Sequence, residues 1–386
     1  MHFHFLLSGP QGDIEFAAEF LEQPFLLSPT EKHPFLSLGD YFEAIQEMLL
    51  QDNGRALSTA LAADLKYQVD PADISEICIR SEKHGAFYHI ASIEVMGLAK
   101  PVKLAVTTGL SEQAKNCLAN EYDILGDLAV RFTPEFLPQF YSKNHVNYQS
   151  SAGKEEFLMV LGEWLDDYHE WHLSQDSETG VQKIQLWDYQ KGYCFLTEQE
   201  SCELLRQVSS ILTGYYDQRS FCQIYPWHHG AGDFVVCREN ETIGVKLITV
   251  RNYSPLIDLQ QEDESSRLVA IINFLLNLTA RIRLDKLDGI GTPAWMGDFA
   301  VEPSVKGFFE ALSRDAIPNR VIDPADLLEV LQAFDPQEYL AMYQPLLEIY
   351  AQEDAEDFAL ILDKLPAHVN QLYRVIQEFS DVRSEE

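Results

Sequence analysis

From Ile74 to about Thr108, three stretches, ISEICIRSE, AFYHIASIEV and VKLAVTT, set apolar residues in alternation, with Gly or Pro between them. Successive side chains on a strand point to opposite faces, so a period of two predicts strands that bury one face. Their β-branched and aromatic content agrees, and three of them in quick succession predict one antiparallel sheet. A helix follows over SEQAKNCLANEYDILGDLAV, with Ser111 placed to cap it because a hydroxyl can accept from the unpaired amides of a first turn. Sheet joined to helix in this order predicts an α+β chain.

The rest of the pattern extends that reading. Residues 1 to 70 combine a short apolar opening, turns at Pro24, Pro29 and Pro34, and a helical run, YFEAIQEMLL, and read as an N-terminal extension. EEFLMVLGEWL is an apolar strand, and EWLDDYHEWH reads as a solvated helix face with its aromatics turned inward. KIQLWDY with GYCFL predicts a hairpin, TEQESCELLRQVSSILTGYYD a long helix, and DFVVC with GVKLITV two short strands joined by RENE. Everything after about residue 264 reads as helix. SSRLVAIINFLLNLTARI is apolar almost all round and so buried; SVKGFFEALSR and DPADLLEVLQAF are amphipathic, and two or three more amphipathic helices follow Pro336.

With 386 residues, more than one lobe is expected. The division predicted is an extension over 1–70, an antiparallel sheet with one helix over 71–162, a helical lobe with a small β-hairpin over 163–334, and a helical extension over 335–386. A formal net charge of -33 repels phosphate backbones and anionic lipid, which argues against nucleic acid and membranes as partners. Six scattered cysteines without a C-x-x-C pair predict buried thiols in a reducing compartment. The opening MHFHFLLSGPQGDIEF lacks a basic n-region and no stretch has the length to cross a bilayer, so the expected location is the cytoplasm.

The order of these elements resembles the two-lobed protein kinase fold, with N- and C-terminal helical extensions. Local strings carry the likeness. HGAFYHIAS resembles the end of a glycine-rich loop, KPVKLAV the third strand, NEYDIL the helix whose glutamate pairs the third-strand lysine, and Leu158 to Leu165 the hinge. QIYPWHHGAGDFVV followed by GVKLITVRN resembles the catalytic loop and the metal-binding strand. LLNLTARI and VKGFFEALSRDAIPNRVIDPADLLEVL resemble the central and closing helices, with Arg320 at the family's arginine. The resemblance covers about residues 75 to 334 and extends to bacterial Ser/Thr kinases and aminoglycoside phosphotransferase-like folds.

What the resemblance implies is loss of chemistry. Phosphoryl transfer in this fold depends on positioned charge: a lysine on the phosphates, carboxylates on magnesium, an aspartate at the nucleophile. Here Pro226, Trp227 and His228 stand at the His-Arg-Asp positions, so an imidazole replaces the base. Asp233 stands at the metal-binding asparagine. Thr249 stands where the metal-binding aspartate belongs, followed by Val250 and Arg251, and a hydroxyl is a far weaker magnesium anchor than a carboxylate. The lysine position falls on Ala105, with Lys103 two residues away on the same face, and Glu121 survives in the helix. Only Gly85 remains of the glycine loop, beside bulky Phe87 and Tyr88. Ser266 takes the position of the central-helix aspartate about seventeen residues after Thr249, which shortens the peptide-docking segment.

The degenerate positions His228, Thr249 and Ala105 therefore predict a pseudokinase, with no cofactor, that binds or regulates a protein partner. The candidate cleft residues are Lys103, Glu121, His228, Asp233 and Thr249. The competing enzymatic reading is an atypical ATP-dependent phosphotransferase or nucleotidyl transferase, with magnesium on Asp233, phosphates on Lys103 and His228 as base. His228 and His229, adjacent in loop chain, point apart and have no third ligand by spacing, so a metal pair is not expected. MHFH reads as an alternating strand rather than a metal site, and GTPAWM as a chance likeness to an activation-segment motif.

Overall fold

The chain is described by a computed structural model over residues 2–9, 12–15, 18–27, 31–85, 87–188, 191–228, 232–240, 242–257, 259, 263–314 and 321–380. It is α+β, with 46% helix, 30% strand and mostly antiparallel sheets. Two compact units account for it: Met1–Gly126 with Pro138–Asp166, and Asp127–Leu137 with Asp167–Glu386. No described helix is long and apolar enough to cross a membrane.

In the first unit, β1 (His2–Gly9), β2 (Gly12–Glu15), α1 (Ala18–Leu21), β3 (Pro24–Leu26), β4 (Lys32–Ser37) and α2 (Leu38–Leu65) precede β5 (Glu76–His84), β6 (His89–Met96) and β7 (Val102–Gly109). Then come α3 (Glu112–Arg131), which belongs to this unit as far as Gly126, β8 (Phe140–Gln149) and β9 (Lys154–Glu163). Seven strands form one sheet in the order β2-β1-β5-β6-β7-β9-β8. Neighbours run antiparallel except β1 and β5, which pair in parallel from His2 opposite Glu76 to Leu7 opposite Ser81. A parallel pair needs a long crossover, and here that crossover contains α2.

The alternation read from the sequence decides how this sheet packs. Ile77, Ile93, Val106 and Phe157 face α2, where Tyr41, Phe42, Ile45 and Met48 are fully buried. Each such side chain contributes roughly 1.5–3 kcal/mol by leaving water. Phe5 of β1 stacks on Phe42 with ring centroids 4.8 Å apart. The opposite face receives α3, whose Leu118 packs on Leu158 and Val160. Ser37 starts α2 with a capping box: its hydroxyl accepts from the Asp40 amide at 3.1 Å, and Asp40 accepts from the Ser37 amide at 2.7 Å. The helix breaks at Gln51–Gly54, where Asp52, Asn53 and Gly54 are all left-handed, a conformation that these residue types tolerate best. Within the first seventy residues, expected as an extension, β1 and β2 are thus one edge of the main sheet and α2 is a layer that covers it.

In the second unit, β10 (Tyr168–Gln175), β11 (Gln182–Asp188), β12 (Gly192–Phe195), α4 (Glu198–Gly214), β13 (Cys222–Ile224), β14 (Phe234–Glu239), β15 (Thr242–Leu247) and β16 (Tyr253–Pro255) are followed by α5 (Glu264–Arg281), β17 (Leu284–Lys286), β18 (Pro293–Trp295), α6 (Val301–Ser313), α7 (Pro324–Ala333), α8 (Pro336–Met342), α9 (Gln344–Tyr350) and α10 (Ala355–Glu378). A five-stranded sheet has the order β12-β11-β10-β14-β15, and β13 with β16 and β17 with β18 form two-stranded ribbons. The EWLDDYHEWH segment is therefore not a helix: its second half opens β10, a central strand in which Trp171, His172, Leu173 and Ser174 are all buried. The β17–β18 ribbon likewise interrupts the region read as wholly helical.

Thr197 and Glu200 cap α4 reciprocally. Gly307 lets α6 approach α4 so closely that a Cβ there would lie 2.1 Å from the Arg206 carbonyl oxygen. Helix α5 is buried from Ala270 to Arg281, as its all-round apolar character predicted. The C-terminal helices close over it: the Tyr343 hydroxyl donates to the Leu276 carbonyl at 3.0 Å, the Tyr350 hydroxyl donates to Asn277 at 2.8 Å, and Arg281 pairs with Glu353 at 3.0 Å. Helices α8, α9 and α10, expected as an extension, thus contribute buried side chains such as Tyr339, Leu346 and Leu372 to the unit's core. The cysteines differ from the expectation too. All six are free, Cys117 is exposed on α3 and the other five are half-buried, because each lies at a position that only partly faces a core.

Candidate functional site

The loop between β13 and β14 gathers the residues of greatest chemical interest. Asp233, immediately before β14, is 1% exposed. Burying a carboxylate without a partner costs several kcal/mol, so its surroundings must supply a counter-charge. Arg251, four residues beyond the end of β15, does so in the fork geometry that suits a guanidinium. Its Nη2 donates to Oδ1 at 2.6 Å and its Nη1 donates to Oδ2. The amide of His228 donates to the same Oδ2 at 2.6 Å. Burial pushes the Asp233 carboxyl up from its ordinary value, while Arg251 and the His228 amide pull it back.

Backbone pairing brings these groups together. Strands β14 and β15 are antiparallel, and the Ile248 amide extends their ladder by donating to the Asp233 carbonyl at 2.7 Å. Strands β13 and β16 pair with Gln223 opposite Ser254, which holds the entry to the loop beside the exit from Arg251. Thr249 is half-buried two residues before Arg251, and Val250 between them is fully buried. Both oxygens of Asp233, the predicted metal ligand, are thus engaged by protein donors. Among the described residues no group of three or more His, Cys, Asp or Glu has the arrangement of a metal site. His229 and Arg320 lie outside the described residues.

The loop is also tied to the C-terminal helices. The Tyr225 hydroxyl donates to Glu353, which in turn pairs with Arg281. Asp354 caps α10, and its carboxyl is held below the usual range by the amides of Asp357 and Glu356, with Lys286 and His228 adding smaller attractions.

In the first unit, Lys103 and Ala105 share one face of β7, with Glu94 and Ser92 opposite them on β6. The Lys103 ammonium lies 3.9 Å from Glu82 and 4.0 Å from the centroid of the Trp164 ring. Glu82 also accepts from the Ser92 hydroxyl at 2.5 Å and lies 3.7 Å from Arg80. The cation is therefore drawn into a half-buried network on the sheet face. Glu121, on α3, is 4% exposed. At the β5–β6 turn, the Gly85 amide donates to the Tyr88 carbonyl at 2.8 Å, and Phe87 is exposed.

The sequence placed Asp233, His228 and Arg251 in one segment without pairing them. A buried acidic residue needs a cation, and that need was the available signal. The partners of Lys103, namely Glu82 and Trp164, come from the sheet register and from the residue following β9. No protein-family model matches the chain, and no curated protein matches it in sequence.

Proposed function

We propose that this chain is a kinase-like protein that has given up phosphoryl transfer and acts as a binding or regulatory module for a protein partner. The observation that carries this reading is the Arg251–Asp233 pair: the carboxylate that a magnesium ion would need already holds a guanidinium on both oxygens. A cation competing for it must displace a bidentate partner that stays charged at every accessible pH. The order of elements supports the resemblance in that three antiparallel strands, a helix, an apolar strand and, later, the β14–β15 hairpin follow one another in the sequence expected. The surroundings of Lys103 support it further: its ammonium lies near Glu82 and the Trp164 ring, neither of which is on α3, where the resemblance places the glutamate that pairs the lysine.

Thermal denaturation of the full chain with and without millimolar Mg-ATP tests the reading, together with a turnover assay. The expected result is an unchanged midpoint and no hydrolysis. A midpoint that rises with nucleotide concentration, or turnover abolished by Asp233→Ala, overturns it in favour of a phosphotransferase.

A further inference from the structure

The end of α4, strand β13 and helix α5 enclose a small cavity in the second unit, with about 10 Å³ of room for the centre of a water-sized molecule. Phe221, Leu256 and Ala270 supply apolar wall, and three further lining residues are polar: Tyr216, Gln223 and Asn273. All three are more than nine-tenths buried. Each also carries a buried oxygen with no hydrogen-bond partner among the described residues: the Tyr216 hydroxyl, Gln223 Oε1 and Asn273 Oδ1. The Asn273 amide orientation is set by its Nδ2, which donates to the Val269 carbonyl at 2.9 Å.

Three unsatisfied oxygens in one enclosed space are rare in folded proteins, and each costs free energy unless something joins them. Their chemistry defines what fits. Two are amide carbonyl oxygens that only accept, and the third is a phenol that can donate. A ligand that completes the set must donate twice and accept once within the volume of a single small molecule. We infer that this cavity is a binding site for one structural water molecule, which donates to Gln223 and Asn273 and accepts from Tyr216. The available room matches about one water, which needs roughly 10–15 Å³ by this measure and two to four polar partners. The water joins the β13–β16 ribbon to α4 and α5. Gln223 lies opposite Ser254 in that ribbon, three residues beyond Arg251, so the same water steadies the two strands that flank the Arg251–Asp233 pair.

A high-resolution crystal structure of the full chain tests this, with a parallel crystal soaked in a rubidium salt. The expected result is one density peak at hydrogen-bonding distance, about 2.6–3.2 Å, from all three oxygens and without anomalous signal. That peak should disappear in Gln223→Met or Asn273→Leu, whichever gives folded protein. Direct hydrogen bonding of the Tyr216 hydroxyl to either amide, with no peak between them, overturns the inference. An anomalous peak at the site assigns it to a monovalent cation and overturns it equally.

Discussion

The phenol of Tyr343 and the imidazole of His368 meet at 2.9 Å between Tyr343 Oη and His368 Nε2, deep inside the second unit. On the other side of the ring, Arg283 Nη1 lies 3.3 Å from His368 Nδ1. A guanidinium can only donate, so Nδ1 accepts and carries no proton. The proton of the neutral ring is then on Nε2 and is donated to Tyr343, whose own hydroxyl donates onward to the Leu276 carbonyl. Both ring nitrogens are satisfied in the neutral state, and a second proton would face Arg283.

Burial first, and the Arg283 charge second, lower the His368 pKa to about 3. In the unfolded chain the ring titrates near its ordinary 6.5. Between these values unfolding takes up a proton, so the stabilisation from the neutral ring is complete above pH 6.5 and declines as pH falls towards 3. The slope from this one group is at most about 1.4 kcal/mol per pH unit. Urea denaturation of the wild type and His368→Gln between pH 8 and pH 4.5 measures it. The stability advantage of the wild type should shrink towards acid, and an advantage constant with pH refutes the neutral-ring assignment.

Removing one partner of the Arg251–Asp233 pair should be worse than removing both. Arg251→Met leaves a buried carboxylate opposed only by the His228 amide and should cost about 2–4 kcal/mol, less than the largest values because the guanidinium is partly exposed. Asp233→Asn with Arg251→Met should recover part of that loss. A double-mutant cycle with a coupling energy near zero would show that the pair contributes nothing.

Gly307→Ala sets a methyl group against the Arg206 carbonyl oxygen at 2.1 Å, a separation that only a movement of α4 or α6 can relieve. Overpacking of this kind costs about 1–3 kcal/mol or more, although alanine is the better helix former. The thermal midpoint should fall, and an unchanged or higher midpoint would mean that the helices separate without penalty.

Phe42→Ala probes whether the first seventy residues belong to the sheet. The ring is fully buried and stacked on Phe5, so its removal should cost about 3–5 kcal/mol. A loss below 1 kcal/mol would mean that α2 is only loosely attached.

Strands β5, β6 and β7 were legible because each buries one face, so their apolar residues alternate. Helix α5 was legible because it is buried all round. Strand β10 was not: Trp171, His172, Leu173 and Ser174 are consecutive and all buried, which leaves no period of two to read. The role of β1 was hidden because its partner, β5, lies beyond α2 in sequence, and parallel pairing leaves no local turn signal. At the site, the positions of Asp233, His228 and Lys103 were legible, and their partners were not. Arg251 is 18 residues from Asp233 and meets it only through the β14–β15 hairpin. Glu82 reaches Lys103 across the β6 strand between them, so proximity depends on register that composition does not record.

The place of α2 in the chain has a consequence for biosynthesis. Translation delivers this helix before any of the strands β5 to β9 that its apolar side rests on. Until Gly109 has left the ribosome, Tyr41, Phe42, Ile45 and Met48 have only part of their sheet to lie against. During that interval the nascent protein presents a sticky amphipathic rod to its surroundings or to a chaperone, and the risk of aggregation is greatest for a half-made chain.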